Sequence, residues 1–397
     1  MTASQLKPGW KMVKFGDVVR QCKESVDRDN NPFERYVEGG HMDSENIHIR
    51  RWGEFGADYV GPAFHRIFRN GQVLYGSRRT YLKKVAIADF DGITANTTFV
   101  CETKDQNTFM QELLPFLMLT DSFTEHSIRE SKGSTNPYIN WPDIAKYEFP
   151  LPPIDEQRRI AEILWTADKA LEKHKESGDS LAAVKSQILR ESFRHKSTRK
   201  VKCEELYSVP PRNGFSPKTN ALGAGCPTLS IGAVRDGRVV PSGNTKFAEI
   251  RQSDLEKFRL LAGDILVVRG NGNKYLCGKA GLVTKVPENC FYPDLLIRIA
   301  FDSERVLPEF AVAQWNDPLA HNNLLSHAKS TNGIWKINGK DLRQHKLLVP
   351  SLDIQREIVE QLSVIDAREN ELQKHIEALL GLQRKIANDL MRGAAHV

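Results

Sequence analysis

The sequence is poor in cysteine, in long apolar runs and in one-sided charge, and each shortage excludes a class of protein. Its six cysteines never fall in a Cys-x-x-Cys spacing, which excludes a disulfide-built scaffold and a zinc ribbon. A reduced, cytoplasmic protein is the default expectation. The longest apolar run, Leu113 to Leu119, is interrupted by Pro115 and is far shorter than the roughly 20 residues of a membrane helix, so no membrane partner is expected. The opening stretch MTASQLKPGWKMVKFGD holds no apolar signal-peptide core. Lys plus Arg exceeds Asp plus Glu by only six, 56 against 50. An excess that small permits a nucleic-acid partner without demanding one.

Catalytic motifs are also missing. An amino-methyltransferase of nucleic acids needs an Asn/Asp-Pro-Pro-aromatic loop. Asn31-Pro32-Phe33 and Asn136-Pro137-Tyr138 are each one proline short, and Asn-Pro is an ordinary turn dipeptide. Gly270 to Ala280 resembles a phosphate loop only on the surface, because Gly278-Lys279 is followed by Ala280 where a magnesium-binding hydroxyl is required. Pro142-Asp143 and Pro293-Asp294 lack the Asp/Glu-x-Lys of a metal nuclease, and no histidine pair has zinc spacing. The chain reads as non-catalytic, with no metal site and no cofactor of its own.

What the sequence does have is a duplication. LPPIDEQRRIAEILWTAD (151–168) recurs without a gap as VPSLDIQREIVEQLSVID (349–366), with eight identities across the 17 positions 152–168, where common residue frequencies give about one. Pro152, Asp155, Gln157, Arg158, Ile160, Glu162, Leu164 and Asp168 are repeated 198 residues on, half the chain length of 397. Ile139, Asn140 and Asp143 repeat at Ile337, Asn338 and Asp341 in the same register.

Each copy runs into a helical pattern. Asp155 and Asp353 are placed as N-caps. Apolar residues then recur every seven positions: Ile358, Ile365, Leu372, Leu379 and Ile386 in the second copy, Ile160, Ala167, His174, Leu181 and Ile188 in the first. Five heptads predict a long helix with a coiled-coil seam. Gly178 weakens the first seam, and a kink is expected there. The order is domain, helix, domain, helix, and the second helix must return, because a tail in solvent would expose its apolar stripe. The expected architecture is α+β, with two pseudo-twofold-related halves separated by two long antiparallel coiled-coil helices. The boundaries fall at 1–150, 151–197, 198–350 and 351–397.

Within the halves, short β-rich runs alternate with Gly- and Asn-rich turns, and helical patterns lie near Gln111–Phe123 and Pro308–Leu325. The basic run Arg190–Lys202 reads as a solvated helix end. Two pairs of loops suit nucleic acid. Arg78, Arg79, Tyr81 and Lys83, with Lys84, are matched in the other half by Arg269, Asn271, Asn273 and Lys274. Lys132, Ser134, Thr135 and Asn136 are matched by Lys329, Ser330, Thr331 and Asn332. Arg and Lys reach guanine edges and phosphates, Asn reads adenine, and hydroxyls bind phosphates.

Two variable halves, each leading into P-x-x-D-x-Q-x-x-I-x-x-x-L-x-x-x-D, resemble the specificity subunit of type I restriction–modification systems. The resemblance implies two target-recognition domains on double-stranded DNA. It also implies docking to two modification (methyltransferase) subunits and, through them, to restriction subunits with translocase activity. S-adenosylmethionine, ATP and magnesium would then belong to those partners. The second copy departs from the usual Glu-Gln, having Ile354-Gln355, which argues against Glu156 as a required contact. On this reading the DNA site is bipartite and asymmetric, with half-sites about 34 Å apart and an unread spacer set by the helices. Two rival readings are a divergent stand-alone methyltransferase or nuclease, and a coiled-coil adaptor without a DNA role. Cofactor binding by the isolated chain would mark the first, and absence of sequence-selective binding the second.

Overall fold

The computed structural model describes residues 6–27, 30–56, 60–220, 223–331 and 333–390. It divides into two units, Met1–Glu176 with Gln373–Val397, and Ser177–Leu372. Each unit combines a globular α+β half with one stretch from each of two long helices, Ile154–Ser192 and Leu352–Leu390, both of 39 residues. No helix among the described residues is long and apolar enough to cross a membrane.

In the first unit, an antiparallel sheet orders Val19–Cys22, Thr98–Thr103, Val73–Gly76 and Val85–Ile87. A second sheet orders Gly53–Glu54, Arg35–Val37, Gly92–Ala95 and Phe64–Phe68, with one parallel pair between Arg35–Val37 and Gly92–Ala95. Strand Lys11–Lys14 pairs with Glu148–Leu151, the strand that feeds the first long helix. The core gathers Phe15, Val73, Phe109, Leu117 and Phe123 with Ile160, Ala161 and Leu164 of that helix and Ala387 of the other.

The second unit centres on a six-stranded sheet whose middle strand, Ile265–Val268, is buried on both faces, as its unbroken apolar run ILVV requires. Arg199–Lys202 pairs with Lys346–Val349 just before the second long helix. Its core includes Leu189, Ile358 and Leu362 from the long helices. The two helical patterns expected in the globular halves each split in two. Leu114–Leu119 is followed by Asp121–Arg129, and Pro308–Asn316 by Pro318–Leu325. The breaks are caps: the Thr120 hydroxyl accepts from the Phe123 N–H at 3.4 Å and the Asp317 carboxylate from the Leu319 N–H at 3.0 Å.

The long helices run antiparallel within each unit. In the first, the Gln383 amide donates to the Leu164 carbonyl at 3.4 Å, and the rings of His174 and His375 lie 5.9 Å apart. In the second, Gly178 faces Leu372, and Lys185 ion-pairs with Asp366. In the second helix Ile358, Ile365 and Leu372 are buried, and Leu379 and Ile386 half-buried. The first helix departs from the expected seam: Ile160 is buried, but Ala167, Leu181 and Ile188 are only half-buried, while Leu164, Leu171 and Leu189 are buried. A 3.6-residue helix drifts against a strict seven-residue repeat, and the globular half covers the Ile160–Leu164 side.

The helix runs on through Gly178, which faces Leu372. One further expectation is corrected. The aspartates are not N-caps, since the helices begin one residue earlier, at Ile154 and Leu352. Asp155 and Asp353 instead accept from Arg158 and Arg356 one turn on, at 3.0 and 2.7 Å. The side chains that secure the helix starts are buried Gln157 and Gln355.

Candidate nucleic-acid interface

In the first unit the two candidate loops form one rim. The Ile139 N–H donates to the Ser77 carbonyl at 2.9 Å and the Arg79 N–H to the Pro137 carbonyl at 2.6 Å. Lys132 and Tyr138 exchange backbone hydrogen bonds at 2.8 and 2.9 Å, closing the loop that carries Ser134, Thr135 and Asn136. Arg78, Arg79, Tyr81, Lys132, Ser134, Thr135 and Asn136 are exposed. The Arg78 guanidinium lies 6.0 Å from the Tyr138 ring centroid, a cation–π contact. Neither Arg78 nor Arg79 belongs to an ion pair among the described residues. Lys84 is half-buried and donates to the Gly39 carbonyl; burial, then neighbouring Arg79, lowers its pKa.

Not every candidate is available. Lys83 is buried and its ammonium reaches Asp121 at 2.8 Å and Glu45 at 3.2 Å. A charge that is buried and already neutralised by two carboxylates is not offered to a phosphate. Lys132 is exposed but ion-paired to Asp143 at 3.0 Å.

The second unit builds its counterpart as a three-stranded sheet ordered Gly270–Asn271, Ile334–Lys336, Lys329–Thr331. The Ile337 N–H donates to the Arg269 carbonyl at 2.9 Å, the same link that joins Ile139 to Ser77. Two Asx turns follow: Asn271 Oδ1 accepts from the Asn273 N–H and Asn273 Oδ1 from the Tyr275 N–H, both at 2.9 Å. They lift Tyr275 to 70% exposure. Lys274 sits 4.6 Å from the Trp335 ring centroid. Lys329 stands directly opposite Lys336 in the register, and Ser330 opposite Trp335. Thr331 ends its strand, and Asn332 lies outside the described residues. Arg269 is half-buried and donates to the Asp294 carbonyl at 3.1 Å, so its guanidinium is partly engaged.

Tyr138 and Lys336 were not among the DNA-contact candidates drawn from the sequence. A signal existed: each immediately precedes the repeated Ile-Asn pair, Ile139-Asn140 and Ile337-Asn338, and that step carries the chain along the rim in both copies. Trp335 had no local mark. Among the described residues, no group of three or more His, Cys, Asp or Glu side chains could hold a metal ion.

Comparison with known proteins gives this geometry a family. The family described as the type I restriction modification DNA specificity domain matches twice, over residues 7–178 and 202–381. The type I restriction enzyme EcoKI specificity subunit of Escherichia coli strain K12 is 29% identical over 307 residues, 71% of this chain and 66% of that protein. The EcoDI specificity subunit of Escherichia coli is 27% identical over 205 residues, 49% of this chain and 44% of its own length. The chain thus spans just under two thirds of the first relative and under half of the second. A solved chain from work on complex assembly and conformational transition of the type I restriction–modification system shares the fold, with a TM-score of 0.53 at 21% identity, covering 98% of this chain and 99% of that one. With the family's domain matched in both copies of the repeat, the chain belongs to the type I restriction–modification DNA specificity family.

Proposed function

We propose that the chain is the non-catalytic, DNA-reading subunit of a type I restriction–modification complex. Residues 1–150 and 198–350 each read one half of a bipartite, asymmetric site, and the helical segments 151–197 and 351–397 dock two methyltransferase subunits and, through them, restriction subunits. The partners supply S-adenosylmethionine and ATP-magnesium chemistry in the cytoplasm. The observation that carries this reading is the recurrence of one rim in both halves, tied at the same backbone step but furnished with different side chains. Arginine, tyrosine and hydroxyl groups face outward in the first, and lysine, asparagine and tyrosine in the second. Different furniture on one frame is what an asymmetric site requires. The directly opposed Lys329 and Lys336 add support, since like charges across a strand pair are unfavourable and an anion such as a phosphate relieves them.

The experiment is to map methylated positions in the host genome with the chain intact, deleted, and carrying Arg78→Ala with Arg79→Ala. Methylation of one bipartite motif should vanish on deletion, and the double variant should relax one half of that motif only. Methylation indifferent to the chain would sink the proposal.

A further inference from the structure

Strain gathers beside the first rim. Among the described residues, five other than glycine have a left-handed backbone, and three of them meet here: Glu45 at φ 54° and Arg79 and Lys83 at 48°. Arg79 and Lys83 bracket the turn Thr80–Leu82. Such residues persist only where their surroundings over-determine them. The Lys83 carbonyl accepts from the Glu45 N–H at 3.1 Å, and the Lys83 ammonium joins Glu45 to Asp121.

The knot is completed by the end of the second long helix. Arg384 donates to Asp121 Oδ1 through Nη2 at 2.6 Å and Nε at 3.1 Å, and lies 3.6 Å from the Glu45 carboxylate. Asn388 donates to Asp121 Oδ2 at 2.8 Å and accepts from the Asp121 N–H at 2.9 Å. All of these residues lie in one unit. Burial alone would raise the Asp121 carboxyl, but hydrogen bonds from Arg384 and Lys83 hold it down to about 2. The repeat supplies no second copy of this brace, because Ser186 and Arg190 stand at the equivalent helix positions.

We propose that Arg384 and Asn388 are positioning residues for the first recognition loop, holding Arg78 and Arg79 in their strained turn through Asp121 and Lys83. Recognition of the first half-site then depends on a helix segment 263 positions downstream of Asp121, and recognition of the second does not. Lys83 acts as a strut and neutralises no phosphate. The inference rests on the reading of residues 78–82 as a DNA contact.

The test replaces the chromosomal copy with Arg384→Ala, the milder Asn388→Ala, Lys83→Met, and Arg78→Ala with Arg79→Ala, and maps methylated sites. The full chain with its modification partners is then titrated on DNA at several salt concentrations. The helix variants should lose roughly 5-fold or more in base discrimination at the half-site relaxed by the arginine pair, with the other half-site intact. Lys83→Met should do the same, with the salt slope of Arg384→Ala, whereas loss of a phosphate contact by Lys83 itself would lower the slope by about a further 0.9. Wild-type preference at both half-sites in Asn388→Ala, equal loss at both in an assembled variant, or a slope lower in Lys83→Met than in Arg384→Ala overturns the inference. A silent arginine pair overturns the loop reading and the inference together, whereas silent helix variants beside an active arginine pair overturn the inference alone.

Discussion

Gln157 and Gln355 stand 198 residues apart and make the same three hydrogen bonds. Gln157 accepts from the Met110 N–H at 2.9 Å and donates to the Thr108 and Pro152 carbonyls at 2.9 and 3.0 Å. Gln355 accepts from the Leu307 N–H at 2.8 Å and donates to the Arg305 and Pro350 carbonyls at 3.1 and 2.9 Å. Both side chains are fully buried. Each pins the first turn of a long helix to the loop ahead of a short one, which explains why glutamine recurs in both copies while Glu156 gives way to Ile354. The Glu156 carboxylate has a local role, accepting from the Trp10 indole N–H at 2.9 Å.

Replacing Gln355 by leucine keeps the volume and strands one buried N–H and two carbonyls. At about 1 kcal/mol per hydrogen bond, the variant should lose roughly 3 kcal/mol of stability, measurable by chemical denaturation. A loss under about 1 kcal/mol would show that water replaces the amide.

Gly178→Ala should stabilise the protein. A Cβ there would sit 3.6 Å from Leu372 Cδ2, an ordinary contact, and alanine gains up to about 1 kcal/mol over glycine inside a helix. Leu372→Asp at the facing position should have the opposite sign, with a buried unpaired charge costing several kcal/mol. Thermal melting of both variants checks the pair, and a destabilised Gly178→Ala would contradict this packing.

His48 and Asp168 form a hydrogen-bonded pair at 2.8 Å. The hydrogen bond that His48 donates to Asp168 raises its pKa; burial opposes it and the Asp168 and Glu172 charges add to it. A raised folded-state pKa means that the stability from this pair is complete below the ordinary histidine value of about 6.5 and is lost as pH rises through the folded value. His48→Gln should flatten the fall in melting temperature above that pH. The repeat partner Asp366 pairs instead with Lys185 and Arg238. Identical pH profiles for wild type and His48→Gln would refute the assignment.

Arg78→Ala and Arg79→Ala separate base reading from phosphate binding. If either contacts a base edge, discrimination at one half-site falls by about 1–3 kcal/mol. If either contacts only phosphate, affinity falls for all sequences and the salt slope shrinks. Binding selections at two salt concentrations distinguish these outcomes, and no change in both variants would exclude the loop.

The duplication, the two long helices and the rim loops were legible in the residues alone because they are local or periodic. Identities recur at 198, apolar side chains follow helical spacing, and basic residues cluster with hydroxyls. What the sequence could not assign was which charges are spent. Arg79 and Lys83 lie four positions apart in one basic loop, yet the first is exposed and the second buried between Asp121 and Glu45. Their fates differ because a charge's partner is chosen by long-range packing: Asp121, which meets Lys83, opens a helix capped at Thr120 and accepts from Arg384, 263 positions away. The expected N-caps failed for the same reason. Asp155 satisfied every local rule for starting a helix, but buried Gln157, bonded to carbonyls at 108 and 152, set the start one residue earlier. Spacing along the chain determined the elements; hydrogen bonds between distant segments decided which side chains remain free to meet a ligand.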